Sequence, residues 1–95
     1  MYTRKITVAA SVGLHARPAA VFVRAVNRTG LPITLSKEGM EAIDGRSLLA
    51  VMSADFQHGT EVELAVGPCD ADGDAVRAAV DHLAELLATD LTDPS

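Results

Sequence analysis

Glu61-Val62-Glu63-Leu64-Ala65-Val66 alternates charged or small residues with branched aliphatic ones over its whole length. Successive side chains of an extended chain point to opposite faces, so this pattern makes a strand with one apolar and one wet face. Such a strand belongs to an antiparallel sheet covered on one side, because a doubly covered parallel sheet requires continuous apolar runs. Gly67-Pro68 stops it, and the connection 54–60, containing Gly59, leads into it. Beyond the stop, Val76, Ala79, Val80, Leu83, Leu86 and Leu87 recur at helical spacing and predict a helix over 73–88. Asp70, Asp72 and Asp74 fall at its N-terminal end, where negative charge is favourable. On the other side, Ser47 is the expected N-cap of a short helix over 48–53. Leu48, Leu49, Val51 and Met52 are too many apolar groups for one narrow stripe, so some are expected at the surface.

Further towards the N-terminus, Leu31-Pro32-Ile33-Thr34-Leu35-Ser36 and residues 40–43 predict a hairpin turning at Lys37-Glu38-Gly39, and Asp44-Gly45 predicts the next turn. Residues 16–27 read as a helix with Ala19, Phe22, Val23 and Val26 on one face and Arg17, Arg24 and Arg28 on the other, ended by Thr29-Gly30. Arg4-Lys5-Ile6-Thr7-Val8 is the first strand. The order is β-α-β-β-α-β-α. It predicts an α+β open-faced sandwich, with a four-stranded antiparallel sheet covered on one side by three helices. Residues 1–95 form one domain, and 89–95 are expected to be a flexible tail.

The chemistry concentrates in Gly13-Leu14-His15-Ala16-Arg17-Pro18. Proline has no backbone N–H, so Pro18 suits the first turn of a helix, which places His15 at the helix start. Unpaired N–H groups and the positive end of the helix dipole face outward there and suit an anion. Arg17 adds a planar cation with fork geometry for phosphate oxygens, and a neutral imidazole offers a ring nitrogen as nucleophile. Nucleophile and anion cradle are then one object.

Charge supports that placement. Residues 1–37 carry Arg4, Lys5, Arg17, Arg24, Arg28 and Lys37 with no Asp or Glu, a formal +6, whereas the rest of the chain carries 13 acids against Arg46 and Arg77. The net charge of −5 argues against general nucleic-acid binding, while the basic third suits an anionic group and acidic partners. Cys69 is the single cysteine, which excludes an intramolecular disulfide and a cysteine-rich metal site. The start of the chain shows neither a signal peptide nor a membrane span, so a soluble cytoplasmic protein is expected.

Two stretches carry a family resemblance. Gly13-Leu14-His15-Ala16-Arg17-Pro18-Ala19 resembles the active-site signature of the histidine-containing phosphocarrier proteins, HPr, of the bacterial phosphoenolpyruvate-dependent sugar phosphotransferase system. Asp44-Gly45-Arg46-Ser47-Leu48-Leu49-Ala50-Val51-Met52-Ser53 resembles that family's second signature, around a serine. The resemblance covers nearly the whole chain. It implies that His15 receives a phosphoryl group on Nδ1 from the phosphohistidine of enzyme I and passes it to sugar-specific A domains. Arg17 would neutralise the phosphate, assisted by the backbone amides of Ala16 and Arg17. Ala20, Arg24, Leu49 and Met52 map onto the docking surface, and Ser47 onto a serine that an HPr kinase/phosphatase modifies in some bacteria. The implied protein is a monomeric, stoichiometric intermediate with no cofactor of its own, phosphoenolpyruvate being the upstream donor through enzyme I. Val12 departs from the polar residue many members carry, so the orientation of the His15 ring falls to backbone groups or to Ser11. The hairpin around 37–40 is also about one residue longer than in some relatives.

Other readings of these residues are weaker. A regulatory module of the same fold, acting through Ser47 or docking alone, would not need His15. A hydrolase using His15 would need a paired acid or a metal set, which the sequence does not display. Asp70-Ala71-Asp72-Gly73-Asp74 has its glycine misplaced for a calcium loop and lacks the closing glutamate, so it reads as helix capping. His58, His82 and Cys69 are isolated in sequence and form no metal motif.

Overall fold

The structure, a computed structural model, describes residues 2–89; of the expected tail, 90–95 lie outside the described residues. Its elements are β1 (Thr3–Thr7), α1 (Ala16–Thr29), β2 (Ile33–Ser36), β3 (Ile43–Asp44), α2 (Leu48–Ser53), β4 (Glu61–Val66) and α3 (Gly73–Leu87). The four strands form one antiparallel sheet in the order β1-β4-β2-β3. The strand with the cleanest alternation is therefore central, pairing Ile6 with Val62 on one side and Leu35 with Leu64 on the other. Val62, Leu64 and Val66 are buried beneath the helices, while Glu61 is exposed and Glu63 lies opposite Lys5 on the wet face. Opposite charges across a pair of strands favour that register.

The helices close the apolar face. Pro18, Ala19, Phe22, Val23 and Val26 of α1 and Val76, Val80, Leu83, Ala84 and Leu87 of α3 are buried. They enclose a core whose largest fully buried side chains are Phe22, Phe56, Leu14, Ile33, Leu35, Leu64, Leu83 and Leu87. Each contributes about 1.5–3 kcal/mol relative to an exposed position. Among the described residues no buried side chain is polar or charged, so the fold is held by this apolar layer and its backbone ladders.

Several boundaries differ from the sequence reading: β2 begins at Ile33 instead of Leu31, and α3 ends at Leu87 instead of 88. The first strand is Thr3–Thr7 instead of 4–8, although Val8 still exchanges backbone bonds, its N–H donating to the Thr60 carbonyl at 2.9 Å and its carbonyl accepting from Gly59 N–H at 2.9 Å. Helix α1 runs on through Thr29, and Gly30, at φ 70°, supplies the left-handed residue that ends it. The third strand is Ile43–Asp44, not 40–43. Met40 N–H donates to the Lys37 carbonyl at 3.0 Å, so the start of the expected strand is taken up by the turn. The next turn accordingly begins at Gly45, whose N–H donates to the Ile33 carbonyl at 2.9 Å. A Cβ there would lie 2.8 Å from Leu35 Cδ1 and 3.1 Å from the Ile33 carbonyl oxygen, so glycine admits this close approach without displacing either.

Candidate functional site

His15 is the N-cap residue of α1, extended at φ −127°, and its side chain makes no capping bond. Ala16, the first helical residue, is held at φ 49°, the left-handed region that a residue with a Cβ rarely occupies. The first turn holds no acid, and Arg17 is exposed and makes no hydrogen bond or ion pair with any described residue. The N–H groups of Ala16 and Arg17 lie in the turn where a helix has no internal acceptors, and Pro18 has none to offer. The structure thus brings His15, Arg17 and the start of α1 together as the sequence expects.

What positions this start is a second loop. Leu14 N–H donates to the Phe56 carbonyl at 2.7 Å, and Gly13, at φ 74°, lies so close to that loop that a Cβ would meet the Phe56 carbonyl oxygen at 2.6 Å. Leu14 and Phe56 are both fully buried beneath the contact. The segment 54–57 is therefore locked against the segment that carries the histidine.

That lock delivers a residue the sequence reading did not single out. Asp55 Oδ1 lies 2.9 Å from His15 Nε2, with the two side chains 56% and 38% exposed, so the pair stays open to solvent. The orientation of the ring, expected from backbone groups or Ser11, has Asp55 as its hydrogen-bond partner. The Gln57 amide donates to Asp55 Oδ2 at 2.9 Å; it, and after it the His15 ring, hold the Asp55 carboxyl below its usual range. Lys37 Nζ donates to the carbonyls of Ala54 at 2.9 Å and Asp55 at 3.1 Å and lies 5.4 Å from the centre of the Phe56 ring. Asp55 was hidden because it is 40 residues from His15 in the chain and lies in an unpatterned connection. The available local signal was weak: Asp tolerates the left-handed conformation better than most residues, and Asp55 adopts it at φ 56°.

The other expected residues fall as follows. Ser47 is the N-cap of α2, its Oγ accepting from Ala50 N–H at 3.2 Å, and it is half-buried. Leu49 is 77% exposed and Met52 is exposed on α2, Arg24 is exposed on α1 and Ala20 is half-buried. Val12, absent from the expected docking set, is 61% exposed in the loop that leads to His15. Asp72 caps α3, its carboxylate accepting from the N–H groups of Asp74 and Ala75, as the capping reading expects. Among the described residues no group of three or more His, Cys, Asp or Glu could hold a metal ion, and no helix is long and apolar enough to cross a membrane.

Residues 2–89 match the family model described as the PTS HPr component phosphorylation site. The chain belongs to the HPr family. It is 39% identical to the phosphocarrier protein HPr of Streptomyces coelicolor over 98% of this chain and 95% of that one. It is 36% identical to the HPr-like protein Crh of Bacillus subtilis over 88% and 92% of the two chains. The crystal structure of a phosphocarrier protein HPr from Bacillus anthracis superposes with a TM-score of 0.77 at 28% identity, covering 90% of this chain and 95% of that one. Membership in the HPr family makes this a phosphocarrier of the phosphotransferase system, and the open-faced sandwich is the fold of its relatives.

Proposed function

We propose that His15 of this chain accepts a phosphoryl group on Nδ1 from the phosphohistidine of enzyme I and hands it to sugar-specific A domains, as a stoichiometric intermediate without turnover of its own. The observation that carries this reading is the start of α1, where a histidine and an unpaired arginine share a helix end left uncapped. A phosphoryl group there would meet the Arg17 guanidinium and the first-turn N–H groups, stabilisation of the kind phosphoryl transfer requires. An open surface lets a proteinaceous donor and acceptor reach the same atom in turn. Val12, Leu49 and Met52 supply exposed apolar area for both, and Arg24 adds positive charge for acidic surfaces.

Ser47 is the proposed regulatory position. A phosphate on its Oγ would add about −1.5 to −2 charges beside Leu48 and Leu49 and repel an acidic partner. One assay tests both statements: the purified protein is incubated with enzyme I, Mg²⁺ and phosphoenolpyruvate, and acid-labile, alkali-stable phosphate is measured. Wild type is labelled, His15→Ala is not, and Ser47→Asp is folded but labelled more slowly. An unlabelled wild type with active enzyme I refutes the carrier reading, and equal rates for Ser47→Asp and wild type refute the regulatory one.

A further inference from the structure

The two non-glycine residues with positive φ among those described, Ala16 and Asp55, each adjoin the His15 ring: one follows it in sequence and the other bonds it. A left-handed aspartate is a conformation that glycine would adopt without strain, and such residues persist only where surrounding contacts over-determine them. Here those contacts are explicit. Lys37 grips the two carbonyls at 54 and 55, Phe56, the residue after Asp55, is anchored in the core, and Gln57 holds the second carboxylate oxygen. All of them aim Oδ1 at one ring nitrogen.

We propose that Asp55 is a positioning residue that selects the reacting atom of His15 and retains the proton on the other nitrogen throughout the transfer cycle. This inference rests on the carrier reading of His15. A carboxylate can only accept, so a neutral ring bonded to it carries its proton on Nε2 and its lone pair on Nδ1. In the accepting step the Nδ1 lone pair forms the N–P bond while the donor's bond to phosphorus breaks and its electron pair returns to the donor. The ring keeps its Nε2 proton and becomes cationic, facing the Asp55 carboxylate. In the donating step the Nδ1–P bond breaks, its electrons return to Nδ1, and the neutral Nε2–H ring is restored. No proton moves in either step, and the phosphorylated ring stays in its good leaving-group form. Arg17 offsets the phosphate charge near Nδ1, while Asp55, with Lys37 behind it, faces Nε2.

The test uses protein labelled with ¹⁵N-histidine, with His15 assigned by comparison with His15→Ala. Long-range ¹H–¹⁵N spectra are recorded at about pH 8.5, above the ordinary imidazole range. Wild type should show the Nε2–H tautomer alone. Asp55→Gly, which relieves the backbone strain and therefore folds, should show a mixture of both tautomers while its amide spectrum stays that of a folded domain. Asp55→Asn retains an accepting oxygen and should keep the tautomer. In transfer from phospho-enzyme I, Asp55→Gly should be slowed on the order of tenfold, and Asp55→Asn, which lacks the charge opposite the cationic ring, by less. A pure Nε2–H tautomer in Asp55→Gly overturns the proposal. The spectra need no phosphoryl donor, so an Asp55-dependent tautomer in a protein that enzyme I fails to label would refute the carrier reading and leave Asp55 as the ring's positioning residue.

Discussion

The two long helices begin in opposite ways. Helix α3 is closed by its own chain: Asp72 accepts from the N–H groups of Asp74 and Ala75, and Asp74 adds a negative charge in the first turn. Within the domain Asp81 also pairs with Arg4 and the Tyr2 hydroxyl, and Arg77 with the face of the Tyr2 ring. Helix α1 begins with an uncapped histidine, a left-handed alanine and no acid. Its exposed Arg17, Arg24 and Arg28 make no ion pair with any described residue. Arg28 lies in the last turn, where a cation favours the helix, but Arg17 lies in the first, where it opposes the dipole. The contrast supports the proposed reading, in which the start of α1 receives its negative charge from outside.

The largest effect that can break this comparison is at Arg17. Arg17→Ala should lower the rate of phosphoryl acceptance on the order of 10–100-fold, the scale of losing one charged donor to a transferring phosphoryl group. Its thermal midpoint should not fall, because the lost cation stood at a positive helix end. A parallel fall in rate and stability would make Arg17 a structural residue. The mirror experiment is Asp72→Ala, which removes a cap worth about 1 kcal/mol and should lower Tm by about 4–8 °C while transfer at His15 is unchanged. If Asp72→Ala impaired transfer as strongly as Arg17→Ala, the division between a closed and an open helix would not hold.

Legibility in the sequence follows the same division. Wherever a feature depends on neighbours a few residues away, the pattern showed it. Alternation marked Glu61–Val66 to the residue, Ser47 and the Asp70–Asp74 acids marked helix starts, and Pro18 placed His15 at its cap. The third strand was misplaced because Ile43 and Asp44 pair with Leu35 and Thr34 through the backbone, with too short an alternation to register. Asp55 was invisible for a different reason. Its bond to His15 arises from two loops locked by Leu14 N–H on the Phe56 carbonyl and by the absence of a Cβ at Gly13, contacts that exist only after the sheet has formed. Asp44 reads as a turn residue locally, and its carboxyl is held low by the Arg46 side chain and then its backbone N–H, a pair formed within two residues of chain.

The smallest expected effect concerns the paired charges of α3. Asp81 Oδ1 accepts from the Tyr2 hydroxyl at 2.6 Å and from Arg4 Nη1 at 3.0 Å; the first bond most strongly, then the second, hold the Asp81 carboxyl below its usual range. A carboxyl lowered on folding binds its proton less readily in the native state than in the unfolded chain. Its contribution is therefore fully present above the ordinary carboxylate value of about 3.9 and is lost as pH falls through the lower native value. Asp81→Asn should thus lower the urea midpoint slightly at pH 7, since solvent screens an exposed pair. The gap to wild type should narrow as pH falls below the ordinary carboxylate value and the wild-type carboxyl is itself neutralised. A gap that stays constant across that range would mean that Asp81 acts through packing or the Tyr2 hydrogen bond alone. In that case α3 would owe its rigidity to its cap and apolar face, and the contrast with α1 would reduce to the two helix starts.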